Sequence, residues 1–427
     1  MRTFDFYKDF TCIAGECHHS CCRGGWELDM DDETWELYQK AEGSFGDHIR
    51  QHLETIEEDG ETFNTICLED SHCPFLNERG LCDIILNMGE SAISVVCTEY
   101  PRYTQRMGQH TERTLSLSCE EVGRLLFSKK DKLSMSEDED VLPDEDYEDE
   151  IDGEILELIR QKAIGILQNR QFDINRRIQE YMIFCGRTQD YVNRLEESDE
   201  EEEELKEFLN GYKAFEDGGD NQPLNEHVRN SVDVKENEQQ SNLSMDDSGE
   251  NGALSMNRDD LSIEKKTPDM LSADAFSPEW KAMILDAYEE RLEMLDLMTV
   301  LDDEWQNVMN AFREHEEDYV DLYKAFMIRR DGGRNLAYEH LMSYFTYRYF
   351  PRALQDGNVL GKAQFSLLSF LVIRDMDIME LGEDHIDTSR KYSREVEHAD
   401  DNVDILMEEL LFTESLKAEN AVRLMAY

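Results

Sequence analysis

The sequence predicts a mainly α-helical protein, with a small loop-rich cysteine-cluster module packed on an α-helical domain and no Rossmann-type sheet. Three observations lead there. Nine of the ten cysteines fall between Cys12 and Cys119. From Ile155 onward, apolar residues recur at helical spacing between polar linkers. No glycine-rich strand–turn–helix of the dinucleotide-binding kind occurs, and Gly24-Gly25 and Gly332-Gly333 read as turns.

Composition divides the chain into a Cys-rich metal or iron–sulfur module (1–128), an acidic loop (129–154), a helical segment (155–215), an acidic disordered insertion (216–275) and a helical C-terminal domain (276–427). In the first segment, Trp35, Leu37 and Tyr38 predict a helix over Asp32–Lys40. A second helix is expected over Asp47–Ile56, and a third after Ser118, where Val122, Leu125 and Leu126 recur. Thr111–Leu117 alternates and reads as a strand. Ser136–Glu154 holds twelve acids and no base, a self-repelling solvated loop.

Ile155–Leu167 and Asp173–Phe184 carry amphipathic stripes. Glu196–Glu204 has eight acids in nine residues, and a short helix follows through Leu205, Phe208 and Leu209. Residues 216–275 contain no Phe, Trp or Tyr, too little apolar surface to offset the entropy of ordering. Order is expected to resume at Phe276. Ser277-Pro278-Glu279 places an N-cap, a first-position proline and a first-turn acid. Further helices are expected over Asp303–Glu314, Tyr319–Ile328, Asn335–Tyr349, Ala363–Met379 and Val403–Phe412. Asp331-Gly332-Gly333 separates two of them.

Lys and Arg number 43 against 98 Asp and Glu, a net charge of −55. That argues against nucleic acid and anionic membrane as partners, since both need a basic surface. The acid blocks read as solvating, or as attracting a lysine-bearing partner. No apolar run is long enough to span a bilayer, and Met1–Phe6 lacks the apolar core of a signal peptide. The expectation is a cytoplasmic, reduced protein.

In a reducing compartment, clustered cysteines suggest metal thiolates or redox chemistry before disulfides. The candidate ligands are Cys12, Cys17, Cys21, Cys22, Cys73, Cys82, Cys97 and Cys119. Zinc sites usually show two tidy pairs. Eight irregularly spaced cysteines over 108 residues fit an iron–sulfur cluster at least as well, and the number could fill two sites. The Cys17–Cys21–Cys22 spacing does not match the three-then-two pattern of radical enzymes. Cys67 and Cys185 read as buried thiols, and His18 and His19 as solvent-facing loop residues.

The Phe10-x-Cys12 start, Cys21-Cys22, Cys73-Pro74-Phe75-Leu76, Gly80-x-Cys82-x-Ile84 and Cys97-x-x-Tyr100-Pro101 resemble the YkgJ-type cysteine-cluster family. Cys97…Tyr100-Pro101-Arg102, Leu115–Cys119, Asn335-Leu336, Tyr344–Phe350 and Tyr392–Asn402 resemble the flagellin lysine-N-methylases. The resemblance covers about residues 1–195 and 276–427. It implies a protein-lysine N-methyltransferase with a four-iron cluster, S-adenosylmethionine as methyl donor and flagellin as protein substrate. Within it, Tyr100, Tyr103, Glu397 and His398 are the candidate catalytic residues, and Arg102 the candidate cofactor-binding cation. The aromatic run Tyr344–Phe350 reads as core. The competing reading is a non-catalytic iron–sulfur or zinc module with a structural or redox-sensing role. An enzyme should join its cysteine module to its helical half at a shared site; a structural module should keep its metal apart.

Overall fold

Val359–Ile378 has apolar residues on every side, so as a helix it must be enclosed all round. In the computed structural model all twenty of its residues are buried. The structure describes residues 1–24, 28, 30–58, 61–69, 72–137, 149–195, 199–215, 277–329 and 332–425. The expected insertion at 216–275 and most of the acidic run at 138–148 lie outside the described residues.

The helices are α1 (Asp32–Lys40), α2 (Gly43–Gln51), α3 (Asp83–Met88), α4 (Val95–Glu99), α5 (Glu120–Ser128), α6 (Gly153–Leu167), α7 (Ile174–Val192), α8 (Asp199–Gly211) and α9 (Pro278–Leu295). They continue with α10 (Asp303–Glu314), α11 (Tyr319–Arg329), α12 (Gly332–Tyr349), α13 (Ala353–Asp356), α14 (Val359–Ile378), α15 (His385–Val396), α16 (Asp400–Glu409) and α17 (Ala418–Leu424). The strands are β1 (Arg2–Phe4), β2 (Leu53–Glu58), β3 (Glu61–Ile66), β4 (Arg102–Met107), β5 (His110–Leu115) and β6 (Met135–Glu137). Among the described residues the architecture is mainly α, and neither sheet has a Rossmann-type arrangement. No helix there is long and apolar enough to cross a membrane.

Two apolar cores organise the molecule. The larger gathers β1, β4, β5 and α5 to α17 around α14, so the helices before and after the 216–275 segment share one interior. Its strands form a four-stranded sheet in the order β4-β5-β1-β6, with β1 parallel to β5 and the other pairs antiparallel. The smaller core holds Met30, Tyr38, Ile49, Ile66, Phe75, Ile84 and Ala92, with Cys73 and Cys82 packed against it.

Side-chain caps legible in the sequence mark several of the helix starts. Ser277 caps α9 by accepting from Trp280 N, with Pro278 first in the helix. Asp31, Asp152, Asp173 and Asp302 cap α1, α6, α7 and α10 in the same way. Two expectations need correction. Asp47–Ile56 is not one helix: α2 ends at Gln51, and Leu53–Glu58 pairs with Glu61–Ile66 as a hairpin. Thr55, Ile56, Phe63 and Thr65 favour a pleated strand, and Ile56 faces Phe63 across it. The Asp59-Gly60 pair, a sequence signal for such a hairpin, lies outside the described residues. Gly332 and Gly333 do not form a break but belong to the first turn of α12, where N–H groups have no helical acceptor to lose.

Several charged residues enter the interior as pairs. Arg160 on α6 grips Glu112 on β5, with both side chains fully enclosed and Arg160 Nη1 2.8 Å from Glu112 Oε2. Arg291 on α9 and Tyr319 on α11 both bond Asp375 on α14. Arg177 on α7 reaches Glu339 on α12 at 2.6 Å. Burying a charge without its partner costs several kcal/mol, so these pairs specify which helices meet.

Candidate functional site

The segment between β5 and α5 reads Ser116-Leu117-Ser118-Cys119. It is held to the 100–101 turn by a bond from Ser116 N to Pro101 O at 2.8 Å. Ser116 and Ser118 both turn inward and lie 2.8 Å apart through their hydroxyls. Ser118 Oγ is also 3.1 Å from Tyr100 OH and 2.8 Å from His398 Nε2. Ser116 Oγ donates to Glu397 Oε2 at 2.6 Å. Glu397 is the C-cap of α15, and His398 follows it.

Helix α12 closes this network from the other side. Tyr344 OH donates to both Glu397 oxygens, at 2.9 and 2.8 Å, and accepts from Leu117 N at 3.1 Å. One turn on, Arg348 Nε lies 3.7 Å from Glu397 Oε2, and its guanidinium sits 3.4 Å from the centre of the Tyr103 ring. The Glu397 side chain is 0% exposed.

The local field is asymmetric. Burial, together with the charges of Arg348 and Arg394, pushes His398 down to about 4, so its imidazole is neutral at neutral pH. Burial, and then the thiols of Cys119 and Cys21, hold the Tyr100 phenol well above its ordinary value. Burial and the Glu397 charge do the same to Tyr344. Burial opposes the charge on Arg348, but Glu397 and Tyr344 outweigh it and raise its pKa.

The eight motif cysteines adjoin this network through Cys119, and all are free thiols. Cys21 and Cys22 share a short turn capped by Ser20, and Cys73 N donates to Cys22 O at 2.9 Å. Hydrogen bonds from Cys21 and Cys73 hold the Cys22 thiol well below its usual value. Burial, and then the Cys22 charge, push the Cys82 and Cys97 thiols up. On the other flank burial, with Cys12 nearby, pushes Cys119 up to about 11. Burial, with Glu120 and Cys119 nearby, pushes Cys17 up to about 12. Glu120 pins this loop by accepting from His18 N and His19 N at 3.1 and 3.2 Å. Among the described residues, no three Cys, His, Asp or Glu side chains form a group able to hold a metal ion. By chemistry the donor set is soft sulfur, the ligand type of zinc and iron–sulfur sites.

The sequence expectations meet this geometry unevenly. Tyr100, Glu397 and His398 share one network, and Tyr103 stacks on its arginine. Arg102 stands outside it, donating to Thr98 O at 3.2 Å with its guanidinium over the Phe10 ring. Cys185 is buried as expected. Cys67 is exposed rather than buried, because it lies just past the end of β3. The His18 side chain is exposed, whereas His19 turns in to within 3.6 Å of Asp387. The apolar cleft lined by Leu322, Ile328, Ile378 and Met379 shares no residue with the network.

With the geometry in place, comparison with known proteins assigns the helical half. The family profile of the FliB lysine N-methylase C-terminal domain matches residues 160–424.

The chain belongs to the FliB lysine N-methylase family.

Over 135 residues it is 27% identical to the lysine-N-methylases of Salmonella choleraesuis and Salmonella typhimurium, 31% of this chain and 33% of each relative. It is 26% identical over 135 residues to the flagellar biosynthetic protein FliU of Salmonella muenchen, covering 31% of this chain and 79% of that relative. The chain thus spans about a third of the length of the curated lysine-N-methylases it matches. No solved structure matches.

The FliB domain contributes Tyr344, Arg348, Glu397 and His398 to the network, while Tyr100, Ser116, Ser118 and the eight motif cysteines lie before the matched residues. Reading the sequence missed four participants. Ser116 and Ser118 stood inside a quoted motif as spacers, although two hydroxyls two residues apart beside a cysteine were the available signal. Tyr344 and Arg348 were hidden in an aromatic run in which Phe345, Tyr349 and Phe350 are core and Tyr347 is partly buried against it.

Proposed function

We propose that the protein transfers methyl groups from S-adenosylmethionine to lysine side chains of flagellin, with an iron–sulfur cluster held by its N-terminal cysteines. The observation that carries this reading is the junction where Ser118, one residue before Cys119, bonds His398 and, through Ser116, Glu397 of the FliB domain. A purely structural metal module has no need of a buried carboxylate and a neutral imidazole from the other half of the chain.

Cys12, Cys17, Cys21, Cys22, Cys73, Cys82, Cys97 and Cys119 are the thiols from which the cluster's ligands would come. A polynuclear cluster takes about one thiolate per iron, so its ligands stand farther apart than those of a single ion. Cys22, Cys82 and Cys97 lie near enough to perturb one another's ionisation, and they supply the soft sulfur donors such a cluster takes. When bound, the cluster supplies Lewis-acid iron and a delocalised charge beside the junction. Arg102, bonded to the carbonyl of Thr98 next to Cys97, is the proposed cofactor-side cation. The reading includes a cytoplasmic setting, where thiols stay reduced.

The chain's own residues must prepare the amine. A free lysine has a pKa of about 10.4, so making it neutral costs roughly 4.6 kcal/mol at pH 7. Desolvation beside Tyr100 and His398 lowers that cost, and alignment of nitrogen with the methyl carbon at about 3–3.5 Å contributes several kcal/mol more.

Anaerobically purified protein, incubated with its cognate flagellin and labelled S-adenosylmethionine, tests this by mass spectrometry of lysine peptides. Gains of one methyl mass, with iron and sulfide bound, are expected. Stoichiometric zinc without sulfide would remove the cluster from the reading. Absence of methylation with an intact cluster would overturn the activity.

A further inference from the structure

Two adjoining loops of the FliB domain leave large apolar side chains in solvent. Past the end of α9, Leu297 and Val300 are exposed; past the end of α16, Leu411 is exposed and Phe412 is 73% exposed. The loops are tied side by side. Asn402 on α16 accepts from Thr299 N at 2.8 Å and donates to Thr299 O at 2.9 Å. Thr413, next after Phe412, places its hydroxyl 3.2 Å from Met294 Sδ on α9. The surface also hangs on the helix that leads into the junction. Glu395 on α15, two residues before Glu397, accepts from Leu301 N at 2.8 Å through its carboxylate and from Asn402 Nδ2 at 3.0 Å through its carbonyl. A lone exposed leucine needs no explanation, but several large apolar side chains on adjoining loops mark a surface that meets a partner.

Charge selects the partner. Residues 293–304 and 400–416, which frame these loops, hold eleven Asp and Glu and no Lys or Arg. Arg313, Arg352, Arg390, Arg394 and Lys417 reach in from outside, five positive charges against eleven negative. A second copy of this chain, docked through the same face, would set one acidic rim against another, and an anionic membrane would be repelled in the same way. We propose that this surface docks the substrate protein through a segment whose apolar residues are flanked by lysines or arginines. The proposal rests on the protein-lysine methylation reading, which supplies a lysine-bearing partner. Leu297, Val300, Leu411 and Phe412 bury against the apolar residues of that segment, and the acidic rim orients it and speeds encounter. The docked segment is held beside the end of α15, where Glu397 and His398 follow. These side chains do not touch the reacting atoms, so they act on capture of the substrate and not on the chemical step.

The test uses the full chain and its cognate flagellin in monomeric form. Binding is measured at low and at physiological salt for the wild type, for Leu297→Ser with Phe412→Ser, and for Glu293→Lys with Glu408→Lys. All four positions are exposed, so the fold should be kept, which circular dichroism checks. The serine pair should weaken binding about tenfold or more. The lysine pair should weaken binding at low salt and flatten its salt dependence. In the methylation assay both pairs should raise KM for flagellin and leave kcat unchanged, while kcat/KM for a short lysine peptide without apolar residues should stay at the wild-type value. Absence of flagellin binding by the wild-type chain, or wild-type affinity in both pairs, overturns the proposal. A wild-type dimer in sedimentation that the serine pair dissociates assigns the surface to a second copy and overturns it too. If flagellin is methylated but both pairs bind as the wild type does, the docking fails and the methylation reading stands. If flagellin binds through this surface and no lysine gains a methyl group, the methylation reading fails and the docking stands.

Discussion

Replacing Tyr344 with Phe removes one oxygen and keeps the ring that packs against Phe4 and Phe345. No cavity forms, so the effect isolates the hydroxyl. That hydroxyl donates to a carboxylate whose side chain is fully enclosed and accepts the N–H of Leu117. A hydrogen bond to a charged group contributes about 1.5–3 kcal/mol, and a buried N–H left unpaired costs about 1–3 kcal/mol. Because one atom serves both bonds, the two losses overlap, and about 3 kcal/mol is expected in total. Urea unfolding followed by circular dichroism should show a lower midpoint with an unchanged slope. Hydrogen exchange at the Leu117 amide should accelerate, because α12 no longer holds the loop that carries Cys119. A stability loss under about 1 kcal/mol, with Leu117 still protected, would refute the claim that this hydroxyl joins the cysteine segment to the helical half.

Two further outcomes follow from buried charge. Arg160→Met strands Glu112, whose side chain is 0% exposed, and should cost about 3–5 kcal/mol in the same unfolding assay; the double change with Glu112→Leu should recover much of that, and no recovery would refute pairing as the cause. His398 has its pKa depressed from 6.5 to about 4 by burial, Arg348 and Arg394, so below pH 6.5 the unfolded chain binds a proton that the folded protein refuses. Its stabilising contribution, up to about 3 kcal/mol, is complete above pH 6.5 and is lost as pH falls through the folded value; His398→Gln should flatten stability between pH 6.5 and 4, and an unchanged acid limb would contradict the shift.

Legibility from sequence followed the nature of the signal. Helices whose apolar stripe meets the core announced themselves: α1, α6, α9, α10 and α11 begin within two residues of where periodicity and capping place them. Helix α15 did not. Its sequence His-Ile-Asp-Thr-Ser-Arg-Lys-Tyr-Ser-Arg-Glu-Val is polar nearly throughout, yet Asp387, Arg390, Arg394 and Glu395 are all buried. Arg390 is enclosed between Glu304 and Asp387, and Arg394 reaches Asp302 and Arg23 O. A helix buried by ion pairs has no hydrophobic stripe to read, because its partners come from other elements. The β2–β3 hairpin was misread because a short segment with one apolar face suits either period.

The sequence by itself determined the class of this protein. Cysteine clustering, helical periodicity and the absence of a nucleotide-binding glycine turn are properties of the chain that need no partner to be seen. It also placed Tyr100, Glu397 and His398 among the candidates, through the motifs around them. Only the tertiary structure decided that these residues share one hydrogen-bonded system. Ser116 and Glu397 are 281 positions apart, and nothing local couples them. Their meeting depends on α14 packing against α12 and α15 in one core, and on β5 delivering the Ser-Leu-Ser-Cys segment to the end of α15. The hydrogen-bonded junction is a property of the assembled fold, since its members come from β5, α12 and α15 and meet only when these pack together.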